Sequence, residues 1–211
     1  MNKYFKLVVY VVVTSVIVPA MAGAYEDFFR AIRNDDAAAA RALLQRGFDP
    51  NSVDETGQPA LTLAARDGSP NVAEALLTHP AIRPDAANQA GETPLMLAAL
   101  KGRTALAARL LERGAAVERT GWSPLHYAAT GPAVDIVRML LERGASVDPR
   151  SPNGTTPLMM AAQYGPEDAV TLLLLRRADA RLRNEHGLNA ADFARLGARE
   201  KLAERLDALL R

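Results

Sequence analysis

Apolar residues along this chain come in short bursts, and the bursts come in pairs. Leu61 and Leu63 are followed by Leu76-Leu77, and the pairing returns at Leu95 with Leu110-Leu111, Leu125 with Leu140-Leu141, and Leu158 with Leu173-Leu174. The spacing within each burst lines one face of a short helix. Breakers separate the two members of a pair: Asp67-Gly68, Lys101-Gly102, Gly131-Pro132 and Tyr164-Gly165. The pattern predicts helix–turn–helix units. The first burst of each pair lies inside a recurring phrase: Gly57-Gln-Pro-Ala-Leu-Thr-Leu-Ala-Ala65, Gly91-Glu-Thr-Pro-Leu-Met-Leu-Ala-Ala99, Gly121-Trp-Ser-Pro-Leu-His-Tyr-Ala-Ala129 and Gly154-Thr-Thr-Pro-Leu-Met-Met-Ala-Ala162. A degraded fifth copy starts at Gly187. The leading glycines step by 34, 30, 33 and 33 residues, a period that marks stacked repeats. Such stacks offer a long binding face.

Each part of the phrase has a local job. Thr93, Ser123 and Thr156 are placed to cap helix N-termini, with Pro94, Pro124 and Pro157 in the first turn, where a missing amide costs nothing. The Ala-Ala pairs let neighbouring units approach closely. Leu-Leu-Glu-Arg-Gly-Ala at 110–115 and 140–145 ends a second helix with a basic residue and a glycine, both favourable there. The stretch to the next turn glycine predicts a hairpin finger.

These residues resemble the ankyrin repeat, whose pattern is a turn glycine, Thr-Pro-Leu-His-x-Ala-Ala and a later Leu-Leu-x-x-Gly-Ala. The match is tightest over 121–148. The resemblance implies an all-α ankyrin repeat solenoid of stacked helix–turn–helix units with short hairpin fingers, acting by protein–protein recognition. Aligned outward, it divides 25–211 as a single domain into an N-terminal cap unit 25–54, full units 55–88, 89–118, 119–151 and 152–184, and a C-terminal cap unit 185–211. Phe28, Ala31 and Leu43-Leu44 carry the first cap, and Ala191, Ala194 and Leu206 the last. Three places depart from the pattern. The step to Gly121 is three residues short, so the finger over 115–120 should be truncated. His79-Pro80 stands where a closing glycine belongs, and Arg177 replaces that glycine later.

Composition narrows the partner. Hydrophobic residues make up 49% but aromatics only 5%, so the core is mostly Ala and Leu and suits thin, closely packed helices. Residues 1–24 form a separate segment: Lys3 and Lys6, an apolar run from Leu7 to Val18, then small residues that set cleavage near Ala22 or Ala24. This is the pattern of a secretory signal peptide. It predicts a periplasmic protein with no stable membrane span after cleavage; a secreted protein, or one anchored by an uncleaved segment, is the alternative. Without those two lysines the chain keeps 23 basic and 24 acidic residues, a net charge of −1. Nucleic acid would demand a strong basic excess. With no cysteine, disulfides, thiolate metal sites and thiol nucleophiles are absent.

Candidate chemistry is sparse. His79, His126 and His186 fall in different units, so no metal site is expected. Ser123 and His126 stand three apart, but capping accounts for both. No phosphate loop, dinucleotide fingerprint or nucleophile elbow occurs. No catalytic residue, cofactor or small-molecule substrate is expected, and the chain alone should be a monomer. What remains is the finger and first-helix face. Trp122, the single tryptophan, lies there beside the shortened finger, and interface anchors are enriched in Trp, Tyr and Arg. The expected partner-binding patch is Trp122, Tyr164, Leu100 and Arg119, with Lys101, Thr130, Gln163 and Arg66; Leu100 and Tyr164 are read as equivalent positions in flanking units. The partner is another protein, which the chain inhibits, protects or assists in the bacterial envelope. The rival reading is a secreted ankyrin effector that binds a host protein.

Overall fold

The structure, a computed structural model, describes residues 23–210. The expected signal segment lies outside the described residues except for Gly23 and Ala24. Every element is a short helix, with one isolated antiparallel bridge, Val53 to Pro59. Contacts divide the chain into two units, one ending at Ile82 and one beginning at Arg83.

The first unit holds α1 (23–33), α2 (Ala37–Gln45), α3 (Ala60–Asp67) and α4 (Pro70–Leu77). Its core differs from the Ala–Leu interior expected of the repeats. Phe28 is fully buried, edge-on to Phe29 and 4.5 Å from Phe48 between ring centroids. Such contacts add to plain area burial and supply volume that alanine cannot. Polar groups tie the two helix pairs together. The Ser69 hydroxyl donates to the Ile32 carbonyl at 2.6 Å, and the Val72 amide donates to the Asp35 carboxylate at 2.9 Å. Asp36 caps α2, accepting from the Ala38 and Ala39 amides. The acidic pair is thus divided: one member caps its own helix and the other serves the next pair.

The second unit holds four pairs: α5 (Pro94–Leu100) with α6 (Thr104–Glu112), α7 (Pro124–Thr130) with α8 (Val134–Glu142), α9 (Pro157–Tyr164) with α10 (Glu167–Leu175), and α11 (Ala190–Leu196) with α12 (Glu200–Ala208). Thr93 and Thr156 cap α5 and α9 through the Met96 and Met159 amides, and Asn189 exchanges a reciprocal pair of bonds with Asp192 at the start of α11. First helices pack on first helices in the order α5, α7, α9, α11. Glycine sets how close they come: a Cβ on Gly131 would lie 2.2 Å from the Ala99 carbonyl oxygen, and one on Gly165 2.0 Å from that of Ala129. Any side chain there would push the repeats apart. At the last pair Arg199 reaches back, and its guanidinium caps the end of α9 by donating to the Ala161, Ala162 and Gly165 carbonyls.

Arg177 keeps the turn that glycine makes elsewhere. Its φ is +67°, against +88° at Gly144, a conformation that costs a residue with a side chain about 1–2 kcal/mol. The substitution therefore changed the residue and left the backbone path in place.

Fingers differ more. Four of them close on the same pair of backbone bonds around a polar residue. In the finger over 151–155 the Ser151 amide donates to the Thr155 carbonyl at 3.0 Å and the Gly154 amide to the Ser151 carbonyl at 2.8 Å. Asp54, Asn88 and Asn184 head the other three. In the finger over 118–122 the equivalent bonds are missing among the described residues. The three-residue deletion removes the position that Ser151 occupies, although Gly121 still turns at φ +82°.

Candidate functional site

The deletion does not cost this repeat its tie to the next one. Asp148, four residues past Gly144, accepts the Asp179 amide at 3.0 Å. Glu118, four past Gly114, accepts the Ser146 amide in the same way. The short finger therefore stays anchored at its root while its tip lacks closure, and Trp122 follows that tip directly.

Beside Trp122 lies an apolar cleft of about 240 Å³, walled by Leu100, Trp122, His126, Tyr127, Thr130 and Met160. Three first helices build it. Leu100 is the last residue of α5, His126, Tyr127 and Thr130 come from α7, Met160 comes from α9, and Trp122 enters from the finger just before α7. Trp122 is 37% exposed, with its ring edge-on to His126 at 5.2 Å.

His126 is the structural hub of this site. It is 1% exposed. The Ser123 amide donates to Nδ1 at 3.1 Å, so Nδ1 is the acceptor and Nε2 carries the proton, donating to the Thr155 carbonyl at 2.9 Å. The ring thus caps its own helix and grips the next finger. Burial holds its pKa below the ordinary value, outweighing the Thr155 and Pro149 carbonyls, which favour the charged form. The Ser123 hydroxyl meets Nδ1 at 2.9 Å, but both residues are buried and both ring nitrogens are engaged.

Through Tyr127 the cleft wall is bonded to a carboxylate that is not itself a wall residue. The Tyr127 hydroxyl donates to Glu92 Oε1 at 3.2 Å, and Asn88 Nδ2 donates to Glu92 Oε2 at 2.8 Å. Burial and the Glu92 carboxylate push the Tyr127 phenol up to about 12, so it stays a neutral donor.

The structure gathers some of the expected patch and separates the rest. Leu100, Trp122 and Thr130 meet in the cleft, with the Thr130 hydroxyl donating back to the His126 carbonyl at 2.9 Å. Tyr164 does not join them. It is 60% exposed at the end of α9, and it is not the counterpart of Leu100: Leu100 stands six residues after Pro94, Tyr164 seven after Pro157. One residue is about 100° of helix rotation, enough to leave the cleft. Arg119 borders a separate cleft with Asp85, Glu118 and Pro124. Lys101 is exposed beyond α5, and Gln163 is half-buried against the turn before α12, where its carbonyl would lie 2.5 Å from a Cβ on Gly197. Arg66 belongs to the first unit and pairs with Asp67 at 2.7 Å. Sequence reasoning missed Tyr127 and Met160, which sit inside the repeated phrase. The available signal was variation at that one position: Leu63, Leu97, Tyr127, Met160.

Among the described residues no three His, Cys, Asp or Glu side chains cluster as a metal site requires. No helix among them is long and apolar enough to cross a membrane.

No curated protein matches this chain in sequence. Among solved structures 542 chains match, so the fold by itself does not select a partner. One match comes from the complex of the predatory endopeptidase Bd0816 from Bdellovibrio bacteriovorus with the immunity protein Bd3460. It is 26% identical, covers 86% of this chain and 97% of that one, and has a TM-score of 0.74. The model of ankyrin repeats in three copies matches residues 28–121 and 115–184. With the helix pairs, capped first helices and glycine-tipped fingers already seen, that coverage places the chain in the ankyrin repeat family.

Proposed function

We propose that this protein binds a partner enzyme in the bacterial envelope and blocks it, without catalysing a reaction itself. The likeness to the chain from the endopeptidase–immunity protein complex carries this reading, because it spans nearly the whole of both chains. Ankyrin repeats are protein-interaction modules, and here the first helices of three repeats build an apolar cleft around the single tryptophan. The Ser123–His126 contact is sealed from substrate, which supports a non-enzymatic role. The signal-like segment at 1–24 favours export, and the disulfide-free chain suits a periplasm. An endopeptidase is the first enzyme class to test.

The test begins with the full chain, tagged at its C-terminus and recovered from the envelope fraction of its own cell. Each co-eluting enzyme is then assayed alone and with the chain added at equal concentration. Loss of enzyme activity with the chain, relieved by Trp122→Ala, is expected. Full activity at saturating chain overturns the inhibitory reading, and recovery from the growth medium overturns the envelope assignment.

A further inference from the structure

The carboxylate bonded to the wall residue Tyr127 says more about the partner than the apolar walls do. Glu92 is half-buried, and its two bonding partners, Tyr127 and Asn88, are both neutral. Each carboxylate oxygen receives one donor and keeps a second lone pair. A charge held this way pays for lost water and gains most when a cation arrives. No salt bridge to Glu92 forms among the described residues. Neither Lys101 nor Glu92 is among the residues that wall the cleft, and Glu92 adjoins it through Tyr127.

The walls suit the rest of one long side chain. Leu100 and Met160 offer apolar surface for methylene groups, and Trp122 and Tyr127 offer aromatic rings. Small-molecule pockets start at roughly 300 Å³, above this cleft's 240 Å³, so a single protruding side chain fits better than a free cofactor. A planar guanidinium stacks on aromatic rings and matches a carboxylate with two parallel donors.

We propose that the cleft receives an arginine side chain of the partner protein, its stem between Leu100 and Met160 and its guanidinium against the aromatic rings and the Glu92 carboxylate. This rests on the reading that the partner is a protein, and it names the group that this protein presents. Tyr127 acts as a positioning residue, holding Glu92 next to the cleft wall through its hydroxyl.

The single tryptophan makes the test direct, because its indole N–H gives the one such resonance in the full ¹⁵N-labelled chain. The probes are N-acetyl-arginine amide, N-acetyl-norleucine amide and N-acetyl-phenylalanine amide. The arginine probe should shift the Trp122 signal saturably and bind at least about fivefold tighter than either neutral probe. Glu92→Gln should remove that preference in a chain whose circular dichroism is unchanged. Should that variant unfold, raising salt to about 0.5 M in the unaltered chain must weaken the arginine probe and spare the neutral ones. Neutral probes that bind as well as arginine, or a Trp122 signal that no probe shifts, overturn the proposal. The enzyme assay above needs none of these probes, so inhibition that persists in Glu92→Gln would keep the partner reading while the arginine assignment falls.

Discussion

Two neighbouring fingers of the second unit solve the same problem unequally. The finger over 151–155 closes on two backbone bonds, and its Ser151 hydroxyl also accepts the Thr155 amide at 3.0 Å. The finger over 118–122 is three residues shorter, has no residue in the place of Ser151, and makes neither closing bond. Both keep a left-handed glycine at the tip, and both keep a carboxylate stitch at the root through Glu118 or Asp148. The difference teaches that a repeat can lose its finger's closure and stay in register, provided its root and its first helix remain tied. His126 is that second tie, since it caps the helix behind the open finger and donates to Thr155 in the closed one.

Removing His126 should break the comparison hardest. His126→Ala leaves a cavity and two unpaired backbone groups in a buried site, a loss of about 2–4 kcal/mol. For a chain of this length that lowers Tm by about 5–12 °C in a calorimetric scan. A variant within a degree of the parent would show that the two fingers are held independently.

Acid should act on the same residue more gently. The folded ring stays neutral below its ordinary pKa of 6.5, so the unfolded chain binds a proton there that the folded chain does not. Its contribution is fully present above pH 6.5 and declines as pH falls through that value toward the lower folded pKa. Urea midpoints measured from pH 7.5 to 5 should fall, and His126→Gln should flatten that part of the slope. Equal slopes in both chains would remove His126 as the cause.

Ser151→Ala should turn the closed finger partly into the open kind. The Thr155 amide loses its side-chain acceptor, and the expected cost is about 1 kcal/mol by urea unfolding. The same substitution at Thr120, in the open finger, should cost less than half as much. If both cost the same, the Ser151 hydroxyl contributes nothing to the closed finger.

Smallest is a local difference that needs no mutation. By amide hydrogen exchange the Gly154 N–H should be protected and the Gly121 N–H should exchange much faster, with no change in global stability. Equal protection would mean the short finger closes by another route.

Much of this was legible along the chain. The caps at Thr93 and Thr156, the prolines after them, the tip glycines and the shortened step to Gly121 all depend on residues within a few positions of one another. Their chemistry is local and repeats, so it can be read by eye. Arg177 breaks the sequence pattern, yet its backbone follows the glycine path, because the helices on either side dictate the turn. Tyr127 and Met160 are not legible as cleft residues in the sequence, since they occupy a scaffold position in the phrase. Tyr164 lies outside the cleft because one more residue after its proline than Leu100 turns it about 100° around the helix.

The sequence alone determined the helix pairs, their caps, the finger tips and the place where a finger is short, since each follows from neighbouring residues and a constant period. Only the tertiary structure decided that Leu100, Trp122, Tyr127 and Met160 enclose one cleft, that Glu92 is bonded to its wall through Tyr127, and that Tyr164 and Arg119 lie outside it. Those facts depend on how far each helix is turned against the next. Stacking sets that angle through contacts such as Gly131 on the Ala99 carbonyl and Gly165 on that of Ala129, which join residues some thirty positions apart.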